Sequence, residues 1–188
     1  MKKIFLLIFC VFLCSGCSKK IPENHKVYFK GDFLYFEYTV SGYIKKVPVK
    51  DSKNYKIYKG DVNKDSFSDV ILLSEDKLLI YDFSSVPREL RLDTKEKFSV
   101  YPSGETNVCV ILENGKSFVV HTSKNKDLKF SKPYGYKFSD IDNGNDTEII
   151  YKTDILSGGE KIIEMTISEK YMHGKWYVIN VTYKKKGM

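Results

Sequence analysis

Two short stretches of this chain gather carboxylate and amide side chains at alternating positions. The first is Asp61-Val62-Asn63-Lys64-Asp65-Ser66-Phe67-Ser68-Asp69, and the second is Asp140-Ile141-Asp142-Asn143-Gly144-Asn145-Asp146-Thr147-Glu148. Carboxylates folded together by a tight turn repel one another unless a positive charge lies between them. A hard divalent cation such as Ca2+, which takes about six to eight oxygen ligands, suits such a turn. The competing chemistry is an Asp/Asn-rich turn whose side chains satisfy their own backbone. In the second stretch Gly144 supplies no side-chain oxygen at the position matching Asp65, so Asp140, Asp142 and Glu148 form the weaker metal candidate. An EF-hand is excluded for the first stretch, because Leu72 stands at position twelve where that motif needs a bidentate Glu.

The remaining chemistry-bearing residues are sparse. The three histidines, His25, His121 and His173, are spread along the chain and fall in no nucleophile, zinc or phosphate-loop motif. Three of the four cysteines, Cys10, Cys14 and Cys17, lie at the N-terminus; Cys109, in an apolar run, is expected to be an inert core residue. Trp176, the one tryptophan, reads as packing rather than as a binding platform. A non-catalytic protein is expected.

The elements that would carry these groups begin with an export segment. Met1-Lys2-Lys3 is a positive start, and the apolar run from Ile4 to Leu13 is far shorter than the roughly 20 residues that span a bilayer. Cys14-Ser15-Gly16-Cys17 follows, and then the polar Ser18-Lys19-Lys20. This resembles the lipobox of bacterial lipoproteins, with Cys14 in place of the usual aliphatic residue. The resemblance implies that residues 1–16 are removed and that Cys17 is lipidated, holding the protein on a cell membrane. Ser18 resembles the outer-membrane sorting pattern of a host with two membranes. Residues 17–26 read as a tether and 27–188 as the exported domain. The formal charge of +7 falls by two with Lys2 and Lys3, and the remaining lysines are interspersed with acids apart from Lys184, Lys185 and Lys186. No nucleic-acid surface is expected from that scatter.

Aromatic content of 14% favours pleated sheet, and the domain reads as all-β. Strand-like runs are Phe33 to Val40, Tyr43 to Val49, Val70 to Leu73, Leu78 to Tyr81, Val108 to Leu112, Ser117 to Thr122, Glu148 to Lys152, Ile162 to Ile167 and Trp176 to Tyr183. Asn114-Gly115 marks a tight hairpin, Gly158-Gly159 a longer one, and His173-Gly174 a turn before the last strand. Arg88 to Lys97 is the one segment that reads as a short helix. Aligned on their turns, Asp69, Asn107 and Glu148 each open an apolar strand, at intervals of roughly forty residues, and such a period is propeller-like. The repeats fall near 60–81, 100–122 and 137–167.

Gly60-Asp61-x-Asn63-x-Asp65-x-x-x-Asp69-Val70 resembles the calcium loop of FG-GAP/VCBS-type repeats, the blades of integrin-like propellers. The resemblance implies structural Ca2+ held by Asp61, Asn63, Asp65, Asp69 and the carbonyl of Phe67. Ser66 stands where a glycine with positive φ is usual, which lowers the expected affinity. The expected architecture is a small or partial β-propeller-like array, with a β-sandwich bearing a calcium hairpin as the alternative. The expected function is a membrane-anchored binding module for a protein or glycan; the alternative is an envelope inhibitor or immunity-type lipoprotein that neutralises a toxin or hydrolase.

Overall fold

The computed structural model describes residues 25–75, 77–92, 97–144 and 146–185. Cys17 and the export segment lie outside the described residues. The described chain is all-β and forms four antiparallel sheets in chain order. The first holds β1 (His25–Lys30), β2 (Phe33–Tyr38) and β3 (Ile44–Pro48); a 3-10 turn at Ser52–Asn54 leads on to the second. That sheet holds β4 (Lys56–Gly60), β5 (Asp69–Leu73), β6 (Leu78–Asp82) and β7 (Arg88–Glu89). The third holds β8 (Phe98–Pro102), β9 (Asn107–Leu112) and β10 (Ser117–His121). The fourth holds β11 (Leu128–Phe130), β12 (Tyr134–Ser139), β13 (Glu148–Ser157), β14 (Glu160–Met172) and β15 (Lys175–Lys185).

The second sheet explains how the others stack. In a strand successive side chains point to opposite faces, so an unbroken apolar run belongs to a strand covered on both sides. Val70 and Leu72 pack with Leu34, Phe36 and Val47 of the first sheet. Ile71 and Ile80 face the other way, into a core shared with Val108 and Val110 of the third sheet and Ile149, Ile155 and Ile163 of the fourth. The fourth sheet alternates instead: Ile149, Tyr151, Thr153 and Ile155 on β13 are buried, with half-buried residues between them. Its outer face is charged. Asp154 and Glu164 stand directly opposite each other, and Lys161 reaches them at 3.0 and 2.8 Å.

Several expectations change. His25 and Lys26 belong to β1 rather than to a tether, because His25 pairs with Tyr38 and stacks on Phe36 at 4.3 Å. Arg88 does not open a helix. Arg88 and Glu89 pair with Asp82 and Tyr81, the Leu90 N–H donates to the Ile80 carbonyl, and buried Leu90 pins the strand; residues 93–96 lie outside the described ones. Gly158-Gly159 forms a tight turn, with Ser157 paired to Glu160, and the strands it joins run well beyond the expected Glu148–Lys152 and Ile162–Ile167. Cys109 is half-buried between the more exposed Tyr101 and Val119 on the outer face of the third sheet, not in the core. Trp176 is buried as expected.

Asp69, Asn107 and Glu148 do open the central strand of three successive meanders. The third sheet nevertheless runs opposite to the fourth. Asn125 Nδ2 donates to the Gly104 carbonyl at 2.7 Å, and the Gly158 N–H donates to the nearby Lys126 carbonyl at 3.1 Å. The turn before Asn107 therefore lies by the Ser157–Glu160 turn, at the far end from the loop before Glu148.

Candidate metal centre

The loops 61–68 and 140–147 each link the strand before a central strand to that strand, and they lie side by side. The Thr147 N–H donates to the Asp61 carbonyl at 2.6 Å. Gly60 permits this approach, since a Cβ there would overlap the Thr147 side chain. Tyr58 and Phe138, on β4 and β12, pack at a tilt with ring centroids 5.2 Å apart just below.

Loop 61–68 folds around its own carboxylates. Asp61 accepts hydrogen bonds from the N–H groups of Lys64, Asp65 and Ser66, at 2.7, 3.2 and 2.9 Å. Asp65 accepts from the Phe67 N–H at 2.9 Å and from Asn63 Nδ2 at 3.1 Å. Lys64 and Ser66 both take positive φ, 63° and 69°, and Ser66 does so where the sequence anticipated that strain. Asp69 is buried and accepts from the Val62 N–H at 2.9 Å. Its carboxyl is pushed up to about 8, first by burial and then by Asp82, Asp65 and Asp61, against the pull of that hydrogen bond. Hydrogen bonds tie Asp61, Asn63 and Asp65 into the loop, and Asp69 feels the charges of Asp61 and Asp65, but among the described residues the acidic oxygens gathered within 4.8 Å of one another are those of the other loop. The Phe67 carbonyl as a ligand rests on the resemblance alone.

Loop 140–147 is built differently. Ligand oxygens of Asp140, Asp142, Asp146 and Glu148 all lie within 4.8 Å of one another. Gly144 donates its N–H to Asp140 and Asp142 at 3.0 and 2.9 Å, and a Cβ there would overlap the carboxylates of Asp142 and Asp146. The buried Lys170 reaches into this cluster from β14. Its Nζ stands 2.6 Å from Asp142 Oδ2, 2.9 Å from Asp146 Oδ2 and 3.2 Å from Glu148 Oε1. Lys170 donates to Asp142 Oδ2 and, at 3.1 Å, to Asp146 Oδ1, whereas its contacts with Asp146 Oδ2 and Glu148 Oε1 are ion-pair distances without hydrogen-bond alignment. Asp142 is held below its ordinary value, chiefly by the hydrogen bond from Lys170. The ammonium of Lys170 stands where a cation would.

Asp146 and Lys170 escaped the sequence reading for separate reasons. Asp146 occupies position seven, assigned by the repeat pattern to a main-chain carbonyl. Lys170 is remote in sequence and meets Glu148 only through the pairing of β13 with β14, one step beyond Ile149 opposite Glu169. The same position recurs in the other two meanders. In the third sheet Asn107 faces His121, with Oδ1 and Nδ1 at 3.2 Å. In the second, one step beyond Val70 opposite Tyr81, Asp69 faces Asp82, and both are buried. Burial acts to raise Asp82, but hydrogen bonds from Ser84 and Arg88, the latter at 2.8 Å, hold it below its ordinary value. One meander thus pairs acid with base, one amide with imidazole, and one acid with acid.

Two outcomes follow. Lys170→Met strands the two buried carboxylates of Asp146 and Glu148 and should lower stability by about 3–5 kcal/mol in a denaturant titration, with Lys170→Arg costing much less. For Asp69, the folded carboxyl titrates near 8 against an ordinary 3.8, so the folded state holds the proton more tightly. The stability this carries is complete below about pH 4 and is lost as pH rises through 8. In chelator, the melting temperature should fall across that window, and Asp69→Asn should flatten the fall; an unchanged profile would show that the site is not charge-strained. Comparison of the chain with family models, with curated proteins and with solved structures finds no match, so the reading of these loops stands on their own geometry.

Proposed function

We propose that this chain is a lipid-anchored envelope protein whose all-β domain is a non-catalytic binding module, stiffened by one Ca2+ in the Asp61–Asp69 loop. The observation that carries the metal is the reversal at one structural position: Asp69 faces Asp82 where Glu148 faces Lys170. Two buried carboxylates, with Asp61 and Asp65 beside them, exceed the single compensating charge of Arg88. A cation held by Asp61, Asn63, Asp65 and Asp69 would relieve that excess. The loop at Asp140, Asp142 and Glu148 takes no metal in this reading, since Lys170 fills it. The lipobox at Cys17 is the basis for the anchor.

The stacked sheets favour the sandwich alternative over a ring of blades. In a ring, corresponding loops share one face, whereas the turn before Asn107 points opposite to the loop before Glu148. A polar cleft of about 520 Å3, lined by Asp51, Asn54, Tyr55, Ser74, Glu75 and Lys77, opens at the end of the second sheet remote from the acidic loops. Its hydroxyl, amide and charged lining suits a polar ligand such as a glycan better than an apolar protein face.

A ligand that binds only the native state adds RT ln(1 + [L]/Kd) to its stability. Millimolar Ca2+ should therefore raise the melting temperature relative to chelator, and Asp65→Ala should remove the rise while leaving a folded protein. Identical melting of the wild type in both conditions would end the calcium reading. Intact-mass measurement of membrane-extracted protein should give a chain beginning at Cys17 with added acyl mass. An unmodified N-terminus would end the anchor reading.

A further inference from the structure

Three of the four sheets present loops at one shared end, and those loops carry large apolar residues in the open. Tyr38 Oη and Lys45 Nζ both donate to the Phe83 carbonyl, at 3.0 and 2.5 Å, which sets the β2–β3 loop beside the β6–β7 loop. The Asp61 carbonyl and Thr147 N–H set the β4–β5 loop beside the β12–β13 loop. Phe83 and Asp61 belong to the same end of the second sheet, where β6 leaves and β4 turns into β5. At the tips stand Val40, Tyr43, Phe67, Val86 and Ile141, exposed by 82%, 61%, 43%, 79% and 45%. Single exposed apolar residues are ordinary, but one or more on each of four neighbouring loop tips is a surface seeking a cover.

The chain itself names the cover. β1 runs antiparallel to β2 with His25 opposite Tyr38, so the polypeptide enters the domain at this same end. Lys59 Nζ, next to the acidic loop, donates to the His25 carbonyl at 3.3 Å. Cys17 precedes His25 by eight residue steps, which reach at most about 28 Å. An acylated Cys17 therefore holds this end, and not the polar cleft, close to the bilayer. Apolar and Tyr side chains are what lipid headgroup regions accept, and the carboxylates of Asp61, Asp65 and Asp142 at the same end are held by loop N–H groups and Lys170.

We propose that the end formed by these four loops rests on the lipid bilayer, seating Val40, Tyr43, Phe67, Val86 and Ile141 among the headgroups and upper acyl chains. This deepens the proposed function and rests on its anchor. It turns the anchored domain from a tethered body free to tumble into one held upright, with the cleft at Asp51 and Tyr55 facing outward.

The test uses full-length protein purified from membranes and reconstituted into phosphatidylethanolamine and phosphatidylglycerol vesicles containing brominated acyl chains. Val40→Trp and Val86→Trp, at highly exposed positions, report contact by fluorescence quenching. Tyr101→Trp, next to the oppositely directed turn of the third sheet, is the reference, and native Trp176, only 4% exposed, sets the baseline. The expected result is that all proteins float with the vesicles and that positions 40 and 86 are quenched several-fold more than position 101. Flotation with equal quenching at the three positions overturns the proposal and leaves the anchor standing. Failure to float removes the anchor and this proposal together.

Discussion

A carboxylate buried at the head of a central strand has to be met by positive charge, and much of the acidic end of this domain answers that requirement. Taking such a group out of water costs several kcal/mol even after the surroundings relax, and backbone hydrogen bonds return only part of it. Glu148 is met by Lys170 from the next strand, which also gathers Asp142 and Asp146. The N–H groups of Ile141 and Gly144 in turn donate to Glu148, Asp140 and Asp142, so the loop backbone at these residues hangs on the same carboxylates. Asp69 meets Asp82 instead, and Arg88 is aimed at Asp82. The excess stays with Asp69, whose raised affinity for a proton is the measure of how welcome any cation would be.

The same logic recurs deeper in the core, where burial still outweighs the partners and leaves the Glu169 carboxyl raised. Glu169 is fully buried beside Lys97, with which it forms an ion pair, and it accepts a hydrogen bond from Tyr151 Oη at 2.5 Å. Burial raises the Glu169 carboxyl, while Lys97 and Tyr151 act to lower it. Removing any one partner would leave an uncompensated polar group in an apolar layer, which makes the triad a specificity device for docking the third sheet on the fourth. Lys97 lies just before β8 and Glu169 in β14, so this contact ties the start of the third sheet to the fourth.

The legible part of the fold was what two-residue periodicity and apolar runs report. Val70 to Leu73, Val108 to Leu112 and Phe33 to Val40 announce strands, and the all-β class follows from them. Short edge strands such as β7 and β11 were missed because pairing, not composition, creates them: Arg88 and Glu89 are ordinary helix formers held extended by Asp82 and Tyr81. Sheet orientation was also beyond reach. A repeat in sequence places Asn107 and Glu148 at the same step of a meander, but nothing local records that the two meanders are stacked head to tail. The acidic loops were legible as charge clusters, whereas their difference was not. It depends on a residue delivered by register, Lys170 in one sheet and Asp82 in the other.

These constraints also give the domain two unlike ends. Lys64, Ser66 and Asn143 take positive φ in the acidic loops, where carboxylates that accept from backbone N–H groups make such turns tolerable, and Asp51 does so at the other end. In these two loops Phe67 and Ile141 are exposed while Asp69 and Glu148 are buried, although Val62 of the first loop is itself fully buried in the core. That inversion of the usual pattern is local and electrostatic in origin. Exposed apolar residues of this kind are a liability for aggregation unless something covers them, and the chain enters its fold at this same end, through His25. The opposite end carries no such inversion: its turns, at Asp51 and Ser74, are polar on the outside and frame the open cleft.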